Sequence, residues 1–571
     1  MAIAKKNNSS KPLPWLIGVL LLTFIVFSPS LKNGFTNRDD DQYVTSNKLI
    51  TSLSKDNIIE IFKTENSVAL NYHPLTILSL ALDYKLSGYD PKTYHFTNLL
   101  FHLFNTALVF WFILLLSGNK VRVAVIVALF FGIHPMHVES VAWVSERKDV
   151  LYTFFFMSAL ICYYKYISHT GNQRWRSYIF ILLLFILSLL SKGMAVVLPM
   201  IFVLIDWYVG RKVNRSAILE KLPLVALSIF FGLLAMRIQS NGALTKFETN
   251  NFLYASYGFI NYMINLFLPI RLSCYYPYPL LTGHRLPVVF YVSFILVLGM
   301  LVLTYFASKR NKAVAFGLLF FSITIVLVSQ LISVGEVIMA DRYSYVSYIG
   351  LLFPIGMGYD RLQKLDGKSL DLYKKVSNVL LIVAVIVCIW LTNDRIKVWK
   401  NSDSLWTDVI NKYPSDGLPY FCRSGYLLNK SAFDVGQNKI PENEYARAVN
   451  DINSYIKLRT PVNVLDYKVF FNRAYALTKL NRYDNAIADY TIALKMKPDL
   501  VAAKENRALL YNAIHDYDKA LADFNELISA DPTNPYYYKC KSVIYSTIGN
   551  VTAAIENNNK AIALNRNAGK N

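Results

Sequence analysis

Carboxylates and cations interrupt the apolar segments of this chain at a few places. Three consecutive aspartates, Asp39, Asp40 and Asp41, follow directly on the first long apolar run, Leu13 to Phe27. A carboxylate within reach of a hydroxyl group can take its proton while the oxygen attacks. Ionisable groups beside lipid are costly and are seldom kept for structure alone, so the aspartates indicate a functional site.

The other candidates lie in later connections between apolar segments. These candidates are His73, Asp83, His134, His137, Glu139, Glu146, Arg147, Lys148, Asp149, Lys192, Asp341 and Arg342. Arg and Lys can hold the charge of a leaving phosphate, and Arg can do so with two parallel hydrogen bonds. Together with a carboxylate base, such cations favour transfer of a group from a lipid phosphate to a hydroxyl.

Simpler interpretations stay open for part of this set. Asp341 with Arg342, or Glu146 with its neighbours, could form structural ion pairs. His137 and Glu139 could bind a divalent metal, although His-x-Glu alone is a weak motif. The five cysteines show neither a CxxC motif nor a pairing pattern, which argues against a disulfide framework or a zinc site.

The composition places these residues in a membrane protein. Of 571 residues, 54% are hydrophobic and 17% are charged. Apolar runs able to cross about 30 Å of hydrocarbon recur up to residue 395, and we count about eleven spans. Lys5, Lys6 and Lys11 precede the first run. Because basic residues stay in the cytoplasm, the N-terminus is predicted inside and the candidate residues outside. One apolar segment, 252–270, contains two asparagines and is predicted to be amphipathic or re-entrant.

The part of the chain after residue 395 is polar and repetitive. Equivalent residues recur with a period of 34: Pro498 and Pro532, Tyr483 and Tyr517, and Ala486, Ala520 and Ala554. This period predicts tetratricopeptide repeats, with clear repeats at 467–500, 501–534 and 535–568 and degenerate ones within 403–461. We therefore divide the chain into a membrane domain, 1–395, and a repeat domain, 396–571. Such arrays form concave surfaces that hold peptides or partner domains, or serve as assembly modules.

The polar segments also resemble those of a known family. The segments are Asn37-Arg-Asp39-Asp40-Asp41, His73-Pro-Leu-Thr, His134-Pro-Met-His137-Val-Glu139, Glu146-Arg147-Lys-Asp149, Ser191-Lys192 and Ala340-Asp341-Arg342. With the repeats behind them, they resemble the bacterial relatives of the transmembrane, tetratricopeptide-bearing protein O-mannosyltransferases. The resemblance covers nearly the whole chain, in order. It implies an all-α fold, with a membrane helix bundle of the GT-C glycosyltransferase type followed by a tetratricopeptide α-solenoid.

The resemblance also implies roles for individual residues. An acidic residue of the first outer loop acts as the base, which here is Asp39 or Asp40. We assign Arg147, Lys192 and Arg342 to the donor phosphate. We assign to the acceptor, or to support of the base, His73, His134, His137, Glu139, Glu146 and Asp341. Family members more often have Tyr-Asp-Asp-Pro where this chain has Arg-Asp-Asp-Asp, so the register of the base stays open.

The implied reaction moves mannose or a similar hexose from a polyprenyl phosphate to Ser/Thr hydroxyls of extracytoplasmic proteins, with inversion. We expect a protein of the plasma (inner) membrane, with periplasmic repeats that hold the acceptor. Two alternatives are the same transfer onto a glycolipid or cell-wall polymer, and a non-enzymatic membrane scaffold. No cofactor is firmly implied, and a divalent metal remains an option. The net charge of +21 lies mostly in short loops, so no nucleic-acid partner is expected.

Overall fold

The chain forms two compact units, Met1–Lys412 and Tyr413–Asn571. The computed structural model describes residues 11–212, 214–240, 249–279, 285–331, 337–367, 370–430, 440–459 and 466–568. Lys5, Lys6 and part of the degenerate repeats lie outside the described residues. Apart from isolated bridge residues at Val68, Asn71 and Arg285, the regular structure of the described residues is helical, which confirms the predicted all-α class.

The first unit consists of helices joined by short loops and single turns. Its helices are α1 Pro12–Phe27, α2 Lys55–Phe62, α3 Pro74–Ser87, α4 Pro91–Leu116, α5 Val121–Ile133, α6 Val138–Ala142, α7 Arg147–Tyr166, α8 Gly171–Ser191, α9 Leu198–Val209, α10 Arg215–Leu219, α11 Leu222–Ser240, α12 Asn250–Phe267, α13 Val288–Arg310, α14 Lys312–Ile325, α15 Ser344–Lys364, α16 Asp371–Val398 and α17 Ser402–Lys412. Single turns between them hold several predicted site residues, as in Asp41–Thr45, Val144–Glu146 and Asp341–Tyr343.

Six helical segments of the described chain are long and apolar enough to cross a membrane. They contain α1, α4, α8, α11, α13 and α16, and α5 with α6 adds a seventh if the bent pair is one span. The chain is therefore an integral membrane protein. The predicted count of about eleven spans is not confirmed. The helices α9 and α14 are shorter than a full crossing, and α7 and α15 are not among the candidate spans. The ambiguous segment forms α12, which is not among the candidate spans.

A proline turn breaks the membrane helix that contains α5 and α6, and the two parts meet at 53°. Pro135 lacks a backbone N–H and cannot continue the hydrogen-bond pattern of α5. The imidazole Nδ1 of His134 instead accepts the backbone N–H of Met136 at 3.2 Å, which caps the next turn. The break turns the chain back into the protein, so that α6 and the following turn deliver Glu139 and Glu146 to its interior.

The turn between α16 and α17 fixes the loop that follows α1. The backbone N–H of Gly34 donates to the carbonyl of Lys400 at 2.8 Å. The backbone N–H of Asn37 donates to the hydroxyl of Ser402 at 2.8 Å, and the indole N–H of Trp406 donates to the Asn37 side chain at 2.7 Å. The start and the end of the first unit thus hold the aspartate loop together.

Close packing of α14 against α15 positions the start of α15, which lies two residues after Arg342. The two helices cross at Gly317 and Gly350. A Cβ added at Gly350 would lie 2.6 Å from the carbonyl oxygen of Gly317. Any larger residue would push the helices apart, so these glycines are required by the approach of the two backbones.

The second unit contains α18 Leu418–Leu428, α19 Glu442–Leu458, α20 Tyr467–Lys479, α21 Tyr483–Met496, α22 Val501–Ala513, α23 Tyr517–Ala530, α24 Pro535–Thr547 and α25 Val551–Ala568. Ala486 and Ala520 are fully buried between paired helices. The ion pairs Arg473–Asp489, at 2.6 Å, and Arg507–Asp523, at 2.7 Å, recur one repeat apart. Helix pairs that repeat in this way confirm the predicted tetratricopeptide array.

Candidate functional site

The loop after α1 buries Asp40 and uses its whole carboxylate. Oδ2 accepts the backbone N–H and the hydroxyl of Thr36 at 2.8 and 3.1 Å. Oδ1 accepts the backbone N–H and the hydroxyl of Ser145 at 2.9 and 2.5 Å. Burial raises the pKa of Asp40 to about 6, although these hydrogen bonds act in the opposite direction. Asp40 therefore fastens the loop to the turn at Ser145 and has little acceptor capacity left for a substrate.

Asp39 has the opposite environment. Its side chain is half-buried, and no side-chain hydrogen bond or ion pair engages its carboxylate within the described part of the chain. Its charge acts on Tyr43. Burial is the largest influence on the pKa of the Tyr43 phenol and raises it, Lys148 lowers it, and the charge of Asp39 raises it. Asp41, the third aspartate, opens a π-helical turn, and burial raises the pKa of its carboxyl. Asp41 Oδ1 is buried without a hydrogen-bond partner among the described residues. Of the two aspartates predicted as the base, Asp39 and Asp40, it is thus Asp39 that remains able to accept a proton from another molecule.

Glu146 gathers three cations beside this loop. Its Oε1 lies 3.3 Å from Lys148 Nζ and 3.2 Å from Arg342 Nε, and its Oε2 lies 3.3 Å from Lys192 Nζ. Burial opposes ionisation, but Lys148, Lys192 and Arg342 overcome it and hold the pKa of Glu146 below its usual range. Since Ser145 binds Asp40, the adjacent Glu146 holds Lys148 within reach of the charge of Asp39.

Two further carboxylates balance the charge of these cations. Glu139 accepts Arg342 Nη1 at 2.7 Å and the Arg342 backbone N–H at 3.0 Å. Asp149 accepts Lys192 Nζ at 2.5 Å and the hydroxyl of Ser140 at 3.0 Å. The cations therefore have partners before any substrate binds. A donor phosphate that enters the site would compete for the same N–H groups and could share them.

Arg147 is buried, and its guanidinium is not available to a donor phosphate. Its Nη2 lies 2.6 Å from Asp83 Oδ2 and 2.9 Å from the Tyr94 carbonyl, and its Nη1 donates to the Ser79 hydroxyl at 2.7 Å. Its Nε donates to the Asn98 side chain, and the arginine is 0% exposed. Protein acceptors occupy every nitrogen of the guanidinium. Arg147 ties the start of α7 to α3 and α4, which orients the residues on either side of it.

Trp143 provides an aromatic face for several cations of the site. It stacks on Trp399 with ring centroids 5.5 Å apart and an interplanar angle of 22°. Lys148 and Arg342 each lie 5.5 Å from the Trp143 centroid, and Arg38 lies 5.4 Å from it. Cations over an indole are held in place without a carboxylate, so Trp143 orders this face of the site.

His73 completes the group near the cations. It is 8% exposed and directly precedes α3, and its Nδ1 is buried without a hydrogen-bond partner in the described part of the chain. Burial, followed by the charges of Lys148 and Lys192, holds the pKa of His73 well below its usual value. The imidazole is neutral and can exchange a hydrogen bond with a bound ligand.

His134 and His137 point into the protein. His134 Nε2 contacts the Leu266 carbonyl at 3.1 Å, and His137 Nδ1 contacts the Phe131 carbonyl at 2.8 Å. Glu139 is paired with Arg342, so the suggested metal pair has other partners. Within the described residues, no three His, Cys, Asp or Glu side chains are grouped as a metal site requires.

Asp341 faces the end of α16 and belongs to a second, neighbouring network. Tyr276 donates to its Oδ1 at 2.5 Å, and Arg395 Nη2 lies 3.7 Å from its Oδ2. Arg395 Nη1 in turn lies 2.8 Å from Asp408 on α17. Burial raises the pKa of Asp341 to about 7. Asp341 thus anchors the turn that presents Arg342.

An apolar groove of about 670 Å³ runs between α12 and α13. Its walls include Ile260, Ile264, Phe267, Ile295, Gly299 and Leu303. On another face of α12, the phenol of Tyr262 donates to the Ala340 carbonyl at 3.0 Å. The same helix therefore borders both the groove and the turn that carries Arg342.

The structure thus unites Asp39, Glu139, Glu146, Lys192 and Arg342 with His73 at its edge. Four other residues predicted for the site lie apart from this group: Arg147, His134, His137 and Asp341. Among the residues at the site, Lys148, Ser145, Trp143 and Arg38 were not assigned roles from the sequence. All four lie in the sequence motifs around residues 38 and 143–148, and this position could have identified them as candidates. Spacing alone does not reveal which way their side chains point.

The fold and the site define an all-helical integral membrane protein with a buried cluster of cations and carboxylates and a tetratricopeptide domain. The tetratricopeptide repeat family model matches residues 471–535. A mouse protein O-mannosyl-transferase, TMTC3, is 24% identical over 77% of this chain and 49% of its own length. A protein O-mannosyl-transferase of Caenorhabditis elegans is 23% identical over 79% of this chain and 64% of its own length. The chain is similar to proteins named protein O-mannosyl-transferases over most of its length, which confirms the resemblance noted in its sequence.

The chain spans about half the length of the mouse relative. Among solved structures, ArnT from Cupriavidus metallidurans, bound to undecaprenyl phosphate, matches 85% of this chain and 81% of its own. The TM-score is 0.36 and the identity 12%.

Proposed function

We propose that this protein is a membrane glycosyltransferase of the GT-C type. It moves a sugar, mannose or a similar hexose, from a polyprenyl phosphate to a Ser/Thr hydroxyl of an extracytoplasmic protein. The observation that carries this proposal is the half-buried Asp39, whose carboxylate has no partner among the described residues and lies near Lys148, one of the cations gathered by Glu146. The names of the curated relatives support the same class of reaction.

Asp39 accepts the proton of the acceptor hydroxyl as its oxygen attacks the anomeric carbon. The bond from that carbon to the phosphate oxygen breaks, and the phosphate leaves with the electron pair. A single displacement of this kind inverts the anomeric centre. Lys148, Lys192 and Arg342 stabilise the leaving phosphate, Arg342 with a fork already oriented by Glu139.

Two assignments made from the sequence change in this proposal. Lys148 replaces Arg147 as a phosphate ligand, because protein acceptors occupy the whole Arg147 guanidinium. Asp40 supports the loop and is not the base. We further propose that the groove between α12 and α13 takes part of the lipid chain, because it is apolar and shares α12 with the Arg342 turn. The N-terminus is cytoplasmic in this proposal, and the repeats hold the protein acceptor outside.

The test uses the full-length protein in lipid nanodiscs with a polyprenyl-phosphate sugar and either a Ser/Thr peptide or a glycolipid acceptor. Asp39→Asn should abolish transfer to the peptide. The control is Asp394→Asn, at an exposed carboxylate that is 66% accessible and paired with Lys397. Full activity of a folded Asp39→Asn protein would rule out the base. Transfer to the glycolipid alone would rule out the protein acceptor.

A further inference from the structure

Arg38 lacks, within the described residues, the carboxylate partner that many other arginines of this chain have. The arginines with a carboxylate oxygen within 4 Å include Arg147, Arg174, Arg211, Arg342, Arg395, Arg423, Arg447, Arg473 and Arg507. Arg38 forms no ion pair and no side-chain hydrogen bond within the described residues, and its Nε is buried without a partner. A guanidinium has five N–H donors, and leaving them unpaired in a partly buried position is costly.

Two indole rings hold Arg38 in place. Its guanidinium carbon lies 5.4 Å from the Trp143 centroid and 5.8 Å from the Trp406 centroid. The Trp406 ring is itself fixed by its hydrogen bond to Asn37, the residue before Arg38. Aromatic contacts orient a guanidinium but leave its hydrogen-bonding edge free. Arg38 is therefore an ordered cation with donors available for an oxyanion.

The position of Arg38 favours an anion on the acceptor over the donor phosphate. Arg38 is adjacent in sequence to Asp39, the proposed base, which must meet the acceptor hydroxyl. Lys148 and Arg342 contact the same Trp143 ring as Arg38. Together with Lys192 they converge on Glu146, however, so the phosphate has three cations without Arg38. Trp406, on the other side of Arg38, belongs to α17, which ends one residue before the repeat unit begins.

We propose that Arg38 binds a carboxylate of the acceptor and so selects Ser/Thr hydroxyls that lie next to an acidic side chain. This inference rests on the proposed function, because it assumes that Asp39 receives the acceptor hydroxyl. The Arg38 fork takes both carboxylate oxygens, and this contact draws the neighbouring hydroxyl towards Asp39. The site then prefers acidic acceptor sequences over neutral ones of equal size.

The experiment compares two short peptides with a central Thr flanked either by Asp or by Asn. Full-length protein in nanodiscs is assayed for sugar transfer with each peptide, and for peptide binding by fluorescence anisotropy without donor. Wild type should prefer the Asp peptide about tenfold, the ratio expected for one charged hydrogen bond. In Arg38→Gln this ratio should fall to about one, and Arg38→Lys should keep part of it through charge alone. The matched control Arg176→Gln removes an exposed charge on α8 and should keep the wild-type ratio.

Two results would overturn the proposal: an equal ratio in wild type and Arg38→Gln, or no preference in wild type. A rise in the donor KM of Arg38→Gln that is the same with both peptides would also overturn it, and would place Arg38 at the donor phosphate. The peptide-binding measurement distinguishes a failure of this proposal from a failure of the proposed function. If wild type transfers no sugar but binds the Asp peptide through Arg38, the acceptor site stands and the glycosyltransferase proposal fails.

Discussion

Asp39 and Asp40 are adjacent in sequence but have opposite environments. Asp40 is buried and accepts four hydrogen bonds from Thr36 and Ser145. Asp39 is half-buried, and no donor in the part of the chain that the structure describes engages its carboxylate. The well-bound carboxylate is the structural one. The proton-accepting role therefore falls to its less supported neighbour.

Replacement of each aspartate by asparagine should separate chemistry from stability. Asp39→Asn should lower kcat by about 10²- to 10⁴-fold, the usual contribution of a general base, with an unchanged Tm. In Asp40→Asn, an amide NH₂ group faces the donors of Thr36 or Ser145 and cannot accept their hydrogen bonds. The free energy of unfolding should therefore fall by about 1–3 kcal/mol. Thermal unfolding in detergent and initial transfer rates measure the two effects. The reverse pattern, an unstable Asp39→Asn and a stable, inactive Asp40→Asn, would make Asp40 the base.

The raised pKa of Asp40 predicts a pH dependence of stability. Its carboxyl binds a proton in the folded state up to a pKa of about 6, whereas the ordinary value is 3.8. Between these values the folded state holds more protons than the unfolded state, so stability falls as pH rises from about 4 to 6. The loss is on the order of 3 kcal/mol at most. The Tm of Asp40→Asn should lack this component, which a comparison of the two Tm profiles across that range will show. Parallel profiles would contradict the prediction.

Arg342→Lys should reveal the need for a planar fork at the phosphate. Lysine keeps the charge but cannot reach Glu139 and Glu146 together, as the guanidinium does at 2.7 and 3.2 Å. We expect kcat/KM for the polyprenyl-phosphate sugar to fall about 10- to 100-fold, the cost of one or two charged hydrogen bonds. The control is Arg176→Lys, a change at an exposed position. An unchanged kcat/KM would remove Arg342 from phosphate binding.

The sequence predicts the repeats better than the site. The repeats are local: a period of 34 residues places Ala486 and Ala520 at the same packing position, and the helices follow. The site joins residues more than a hundred positions apart, such as Glu146 and Arg342. The sequence predicts that these polar residues lie on the same side of the membrane, but it does not show which cation faces which carboxylate.

Arg147 and Lys148 show why this gap could not be closed from the sequence. Successive residues at the start of a helix point about 100° apart, so one faces Asp83 and the other faces Glu146. Either orientation is compatible with the motif Glu-Arg-Lys-Asp. The choice depends on Asp83, Ser79 and Asn98, whose approach from α3 and α4 is a tertiary property.

A charge-free replacement of the Asp83–Arg147 pair tests the structural role of Arg147. Arg147→Met alone leaves a buried carboxylate unpaired and should lower the free energy of unfolding by about 3–5 kcal/mol. The double variant Asp83→Asn/Arg147→Met removes both charges and should regain much of the stability and of the transfer rate. Chemical denaturation and donor kinetics measure both. A stable double variant with a strongly raised donor KM would instead return Arg147 to the phosphate.

Trp406→Phe should affect the chemical step more than donor binding. Phenylalanine keeps an aromatic ring beside Arg38 but loses the N–H that donates to Asn37 at 2.7 Å. Because that hydrogen bond fixes the aspartate loop and not the cations around Glu146, kcat for the neutral peptide should fall about threefold to tenfold, the effect of one neutral hydrogen bond. The donor KM should stay constant. Trp390→Phe, at a 68% exposed position on α16, is the matched control. A raised donor KM at constant kcat would show that α17 positions the phosphate cations instead of the base.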